Sequence, residues 1–340
     1  MDITTHGSFA NNSNVTGDLP PDYSLDQIGY VFIPLLLVLG VGGNILIIKV
    51  MISTSFKTLA VSKMFIAMSI SDIVVNLLFP FNKSFVHKMI GIDIRALSSG
   101  GCKLFFWTYR FAKTTSSWLV VLITMERFVA VWLPMKAKFI NTERHVYIVM
   151  ALLYAMLAIF FGYWCSWADQ IIDKSCVFNS RPLDSVRLSG IFLLCGLILY
   201  SFAPSIFVII FNGLIVYKLI IMRKRTRPKV STTSSLSPIQ RQSRNTSNSH
   251  STLNSRTTVM LLSAAISFVV LVTPNAVANI VSFAKKEAIF ETTDPVMVSL
   301  RETVQILEQL NHCINFILYT MYNKRFRDGV IMIFKRKHED

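Results

Sequence analysis

Residues 116–133 read Ser116-Ser117-Trp118-Leu119-Val120-Val121-Leu122-Ile123-Thr124-Met125-Glu126-Arg127-Phe128-Val129-Ala130-Val131-Trp132-Leu133. They form the latter part of an apolar run over 103–133, interrupted near its end by one adjacent acid–base pair, Glu126-Arg127. A spanning helix needs roughly 20 apolar residues to cross a hydrocarbon core about 30 Å thick, and this run is long enough. Six more runs of the same kind lie near 28–52, 61–84, 146–167, 188–222, 257–284 and 297–322. In lipid, backbone N–H and C=O groups find partners only within their own segment, so each run is predicted to be a helix. The fold class that follows is an all-α membrane protein, a bundle of seven transmembrane helices. Buried helices of a soluble bundle are the competing reading, but they keep a polar stripe facing water.

The rest of the composition agrees. Of 340 residues, 52% are apolar and only 16% charged, and the mean hydropathy is +0.50. Both are far from the values of a soluble domain. The net charge of +15 is unevenly distributed. Residues 1–27 carry Asp2, Asp18, Asp22 and Asp26 without a Lys or Arg, whereas nothing acidic occurs from Lys218 to Lys285. Within that stretch lie Arg223, Lys224, Arg225, Arg227, Lys229, Arg241, Arg244 and Arg256. The positive-inside rule therefore puts the N-terminus outside the plasma membrane and the basic loop inside. Seven crossings leave Lys335-Arg336-Lys337 in the cytoplasm too. Lipid phosphates and a cytoplasmic protein partner account for the basic run better than nucleic acid does.

Three regions follow: an extracellular tail over 1–27, the bundle over 28–322, and a cytoplasmic end over 323–340. The tail has no apolar core of a signal peptide, so the first helix is expected to direct insertion. It carries sequons at Asn11 and Asn14, which predict glycosylation. The loop 223–256 is poor in apolar residues and rich in Ser and Thr, Ser237-Pro238 among them, and reads as disordered and as a target of kinases. Beyond the last run, Asn323-Lys324-Arg325-Phe326-Arg327 and the apolar residues 330–334 predict a short amphipathic eighth helix on the inner leaflet. No internal repeat is visible, which weighs against a two-halved transporter.

Five cysteines leave at least one unpaired. Cys102 and Cys176 would both face the oxidising exterior and are predicted to be bridged, with Cys165 the competing partner of Cys102. Cys195 and Cys313 lie within apolar runs and read as packing residues. An ionisable side chain in mid-membrane is a functional signal by default. Asp72 is one such residue, with Asn44, Ser116, Asn311 and Asn315 at comparable depth. Either they form a hydrated pocket for Na⁺, whose hardness suits oxygen ligands, or they form a hydrogen-bonded polar core. No other cofactor is expected.

These residues, taken together, resemble the rhodopsin-like G-protein-coupled receptors along essentially all of residues 28–334. Gly43-Asn44 resembles the family's helix-one motif, and Asp72 its helix-two aspartate. Glu126-Arg127-Phe128 with Pro134-Met135 is similar to the Asp/Glu-Arg-Tyr motif and the second inner loop. Pro204 matches the helix-five proline, Phe268 and Pro274 the helix-six pair, and Asn315-Phe316-Ile317-Leu318-Tyr319 the Asn-Pro-x-x-Tyr motif. The resemblance implies a receptor, not an enzyme, that activates a heterotrimeric G protein and meets arrestin on the loop 223–256. Arg127 would be held by Glu126 at rest and released on activation, Met135 would offer an apolar knob to the G protein, and Tyr319 would swing toward the bundle. Four positions depart from the pattern: Tyr154 and Val272 stand for tryptophans, Phe316 for a proline and Asn212 for a tyrosine.

The same comparison narrows the ligand. Gln309 stands where opsins carry the retinal lysine, and Tyr109 where amine receptors carry an aspartate. What remains is a pocket of Tyr109, Arg110, Lys113, Thr114, Asn275, Asn279, Gln305 and Glu308. Lys113 and Glu308 either pair across helices three and seven or bind a charged ligand end, and Arg110, lacking a partner in its own helix, is expected to snorkel. Mixed charges and aromatics in the outer loops favour an extracellular peptide over a lipid or other small molecule. Val272-Thr273-Pro274-Asn275-Ala276 and Cys313-Ile314-Asn315-Phe316-Ile317-Leu318-Tyr319 resemble invertebrate neuropeptide receptors of the FMRFamide type. An ion-conducting protein, with Asp72, Lys113 and Glu308 as a relay, is the reading from another class. The polar residues thin out past Asn315 into Ile317, Leu318 and Met321, which interrupts such a path.

Overall fold

The computed structural model describes residues 23–82, 85–172, 174–178, 191–192, 194–226, 262–281 and 295–339. The sequons at Asn11 and Asn14 and nearly all of the basic loop lie outside these residues. The long helices are α1 (Tyr23–Ser53), α2 (Ala60–Leu78), α3 (Ser99–Trp132) and α4 (Glu143–Ala168), then α5 (Leu194–Met222) and α6 (Leu262–Val281). Among the described residues, six helices are long and apolar enough to cross a membrane. The seventh span, α7, comes in two pieces, Pro295–Asn311 and Asn315–Tyr322, followed by α8 over Lys324–Glu339.

The bundle buries polar groups beside its apolar core and turns many other apolar side chains outward. Val31, Val38, Leu152 and Ile159 are each at least 66% exposed, while Asn44, Ser69, Asp72, Thr115 and Ser116 are buried. That inversion fits a lipid solvent, in which backbone and polar side chains must be satisfied inside. The central element is α3, which packs on α2, α4 and α5; α1 packs on α2 and α7. The Ser98 hydroxyl caps α3 by accepting from Gly101 N at 3.0 Å, meeting one of the donors a helix start leaves open. One core cluster joins Ile47, Met68, Leu119, Ile123 and Tyr319 to Phe326, so α8 is tied to the bundle. Gly329 lets α8 come close to α1: a Cβ there would lie 3.1 Å from Val50 and from Thr54.

Two local irregularities shape the site. Pro204 has no N–H, and the turn before it, Ile198–Phe202, is a π-helix. Ala203 N bonds back to Ile198 O, and the Leu199 carbonyl takes Trp118 Nε1 of α3 at 2.9 Å instead. In α7 the break occurs although Phe316 replaces the expected proline. His312 N and Cys313 N reach only three residues back, to Gln309 O and Leu310 O. The His312 carbonyl accepts the side-chain amides of Asn44 at 2.9 Å and Asn76 at 3.3 Å. Side chains of α1 and α2 thus satisfy the broken backbone, which at membrane depth is tolerated only inside protein.

Where the sequence predicts a plain polar loop after α4, the chain forms an antiparallel hairpin, β1 (Asp169–Ile172) with β2 (Ser175–Phe178), Ile171 opposite Cys176. Lys174 turns it with φ 58°. The hairpin is fastened twice: Cys176 is bonded to Cys102, with Cα atoms 5.7 Å apart, and Cys176 N donates to Asp93 Oδ2 at 3.0 Å. Cys165 is a buried free thiol, not the partner of Cys102; Cys313 is likewise buried and Cys195 half-buried.

Candidate functional site

Four layers of polar side chains run along the bundle from the disulfide end to the Glu126 end. At the first, Asp93 binds the Arg95 guanidinium through both oxygens at 2.8 Å, and Arg95 lies over the rings of Phe105 and Phe106. This clamp sits outside the spans. Burial pushes the Asp93 carboxyl up, but bonds from Arg95 and Cys176 N–H and the Arg95 charge outweigh it and hold the group below its ordinary 3.8.

In the next layer Lys113 Nζ meets Glu308 Oε2 at 2.7 Å, both side chains largely buried. The ammonium also lies 4.2 Å from the ring centre of Tyr200 and 5.7 Å from that of Tyr109, an arrangement in which the ring faces attract the cation. Among the described residues, neither buried Glu308 Oε1 nor the buried Tyr200 hydroxyl makes an aligned hydrogen bond, although the Tyr200 hydroxyl faces the Glu308 carboxylate. Thr114 is buried on α3 and Gln305 half-buried on α7. Asn279 Nδ2 bonds to Asn275 O at 2.7 Å and Oδ1 at 3.2 Å, so these two close on each other. Arg110 does not snorkel to the surface. Its guanidinium is 3.1 Å from Cys165 Sγ and stacks over Phe106 and Trp164, which turns it toward the α3–α4 seam.

The third layer is built on Asp72, which is fully buried. Its Oδ1 accepts from Ser116 Oγ at 2.6 Å and faces His312 Nδ1 at 2.7 Å. Its Oδ2 accepts from Asn315 Nδ2 at 3.0 Å. Of the five residues grouped from the sequence, Ser116 and Asn315 thus reach Asp72, whereas Asn44 serves Gly40 O and His312 O and Asn311 is buried without a bond to it. Two residues not foreseen complete the layer. Asn76 takes Gln309 Nε2 at 2.7 Å and Cys313 Sγ at 3.1 Å, and His312 supplies the imidazole. Both were open to the 3.6-residue period, since Asn76 lies four residues after Asp72 and His312 three before Asn315. A sodium ion needs several oxygen lone pairs converging on it. This set instead turns N–H and O–H groups toward the carboxylate.

The last layer holds Glu126 and Arg127. Glu126 Oε2 is 3.0 Å from Arg127 Nε, yet neither atom makes an aligned hydrogen bond, as expected of side chains on neighbouring residues. Glu126 Oε1 takes Asn141 Nδ2 at 3.1 Å. Asn141 follows the short helix Pro134–Ile140, on which Met135 is 84% and Phe139 74% exposed. Fifteen residues separate Asn141 from Glu126, and no local pattern marks it. Phe128 packs on Phe211 and Trp132, while buried Tyr319 stands edge-on to Phe65 and Phe326.

The model of the seven-transmembrane receptors of the rhodopsin family matches residues 43–319, most of the chain. The chain belongs to that family. A search of curated proteins gives no match. The receptor rebuilds each of its four departures locally. Val272 is fully buried against Phe268 and Tyr200, so the smaller side chain is packed by an aromatic ring from α5. Phe316 lies over Gly43, where a Cβ would come within 2.9 Å of it, and edge-on to Phe326. Asn212 bonds to Val208 O of its own helix at 2.8 Å, and Tyr154 stands edge-on to Phe111.

Proposed function

We propose that the receptor binds an extracellular peptide around Lys113, Glu308 and Tyr200 and passes the signal to a heterotrimeric G protein at the Glu126–Arg127 end. The observation that carries the ligand half is the buried Lys113–Glu308 pair, beside which Glu308 Oε1 and the Tyr200 hydroxyl make no aligned hydrogen bond among the described residues. A buried unmade hydrogen bond costs about 1–3 kcal/mol, so a ligand with donors and acceptors gains by reaching this layer. A peptide terminus offers both; a lipid tail offers neither. The FMRFamide-type resemblance points to the same ligand class.

Tyr200 touches the Lys113 ammonium on one side and Phe268 and Val272 of α6 on the other. A ligand that moves Tyr200 therefore acts directly on α6. At the far end Arg127 would leave Glu126 while Met135 and Phe139 meet the partner, a two-state contact biased by the ligand. In this reading the Glu126 end and α8 face the cytoplasm, as the charge distribution favours. The test is a screen of amidated neuropeptides for G-protein activation in cells expressing the receptor, with Arg127→Ala brought to equal surface level. A peptide response that disappears in Arg127→Ala is expected. A response that survives the substitution sinks the coupling mechanism, and activation by lipids but by no peptide sinks the ligand class.

A further inference from the structure

Asp72 is the one acidic side chain of the third layer, and every short contact it makes is accounted for. A carboxylate in so dry a place is costly unless it is paired or hydrogen-bonded. Here Ser116, Asn315 and His312 converge on its two oxygens at 2.6, 3.0 and 2.7 Å. At 2.7 Å from a carboxylate oxygen Nδ1 carries the hydrogen, since two facing lone pairs would repel. With Asp72 ionised, the imidazole therefore donates to Oδ1.

The ring has little freedom to leave. His312 is 1% exposed, and its carbonyl is gripped by Asn44 and Asn76 from two neighbouring helices. The backbone that aims the imidazole at Asp72 is thus fixed independently of the ring. Ser116 and Asn315 each point a hydrogen at the carboxylate. A cation approaching Asp72 would meet the positive ends of three X–H dipoles and a ring in its way.

We infer that His312 stands in the cation position beside Asp72, so that this receptor neither binds sodium there nor responds to it. The inference rests on the contacts of Asp72 and His312 alone and holds whether or not the ligand is a peptide.

The experiment uses the full-length receptor purified in detergent, its thermal unfolding compared in sodium chloride and in N-methylglucamine chloride at equal concentration. For the wild type the two midpoints should coincide. In His312→Ser, which removes the ring and offers a hydroxyl oxygen, sodium should raise the midpoint by about 2–4 °C. A sodium-specific rise in the wild type that is lost in Asp72→Asn overturns the inference, and so does a His312→Ser receptor that is as indifferent to sodium as the parent. Should His312→Ser fail to fold, His312→Asn takes its place, and the wild-type comparison decides without any variant.

Discussion

Lys113 and Glu308 illustrate what a buried charge demands of its neighbour. Removing one partner strands the other in a dry site, at a cost of about 3–5 kcal/mol, whereas removing both can be nearly neutral. Lys113→Met should accordingly lower the thermal midpoint sharply, and Lys113→Met/Glu308→Met should recover most of the loss. Additive losses in this cycle would show that the 2.7 Å contact contributes no coupling. Asp93 offers a test by pH. Its folded pKa lies below the ordinary 3.8, so its stabilisation is present above that value and is lost as pH falls through the lower folded one. Asp93→Asn should be less stable than the parent at neutral pH, with the gap narrowing in acid below 3.8. A gap that does not change with pH would remove the ionised carboxylate from the explanation.

Because length and hydropathy are properties of a segment alone, helices α3 and α4 begin and end within about four residues of the apolar runs that predicted them, while α2 stops at Leu78, short of the run's end at 84. Their irregularities depend on other segments. Pro204 announced a disturbance in α5, but that the Leu199 carbonyl would be met by Trp118 depends on where α3 lies. Trp118→Phe keeps the ring packing and leaves that carbonyl unmet, so it should cost about 1–3 kcal/mol in thermal unfolding. The loss should shrink when Pro204→Ala is added, since the restored N–H lets the turn revert to an ordinary α-helical ladder. The break in α7 had no proline to announce it. It follows from Asn44 and Asn76 competing for the His312 carbonyl, a tertiary contact with no local signature.

Across the whole molecule, the residues that share a layer come from helices far apart in sequence. The Lys113–Glu308 pairing was one of two readings open from spacing and charge, and Asp72 was recognisable as an acid in need of partners. Which partners it takes was decided by packing, which brought in His312 and left out Asn44 and Asn311. Asn141 was unreadable for the same reason. The disulfide joins α3 to the β-hairpin across 74 residues of chain, so it constrains a long loop. Cys102→Ser should cost about 2–5 kcal/mol and reduce the amount of folded receptor reaching the cell surface. Unchanged surface expression and midpoint would mean that the Asp93 clamp alone suffices to hold the hairpin.

The state of the five cysteines also bears on spectroscopy. Two are in the bridge, Cys165 and Cys313 are buried, and Cys195 alone is partly accessible. A maleimide dye added to the unreduced receptor therefore has one native attachment point, and Cys195→Ser gives a background nearly silent to thiol reagents. On that background Met135→Cys, at a position 84% exposed, would carry a spin label or fluorophore at the Glu126 end without disturbing any buried contact.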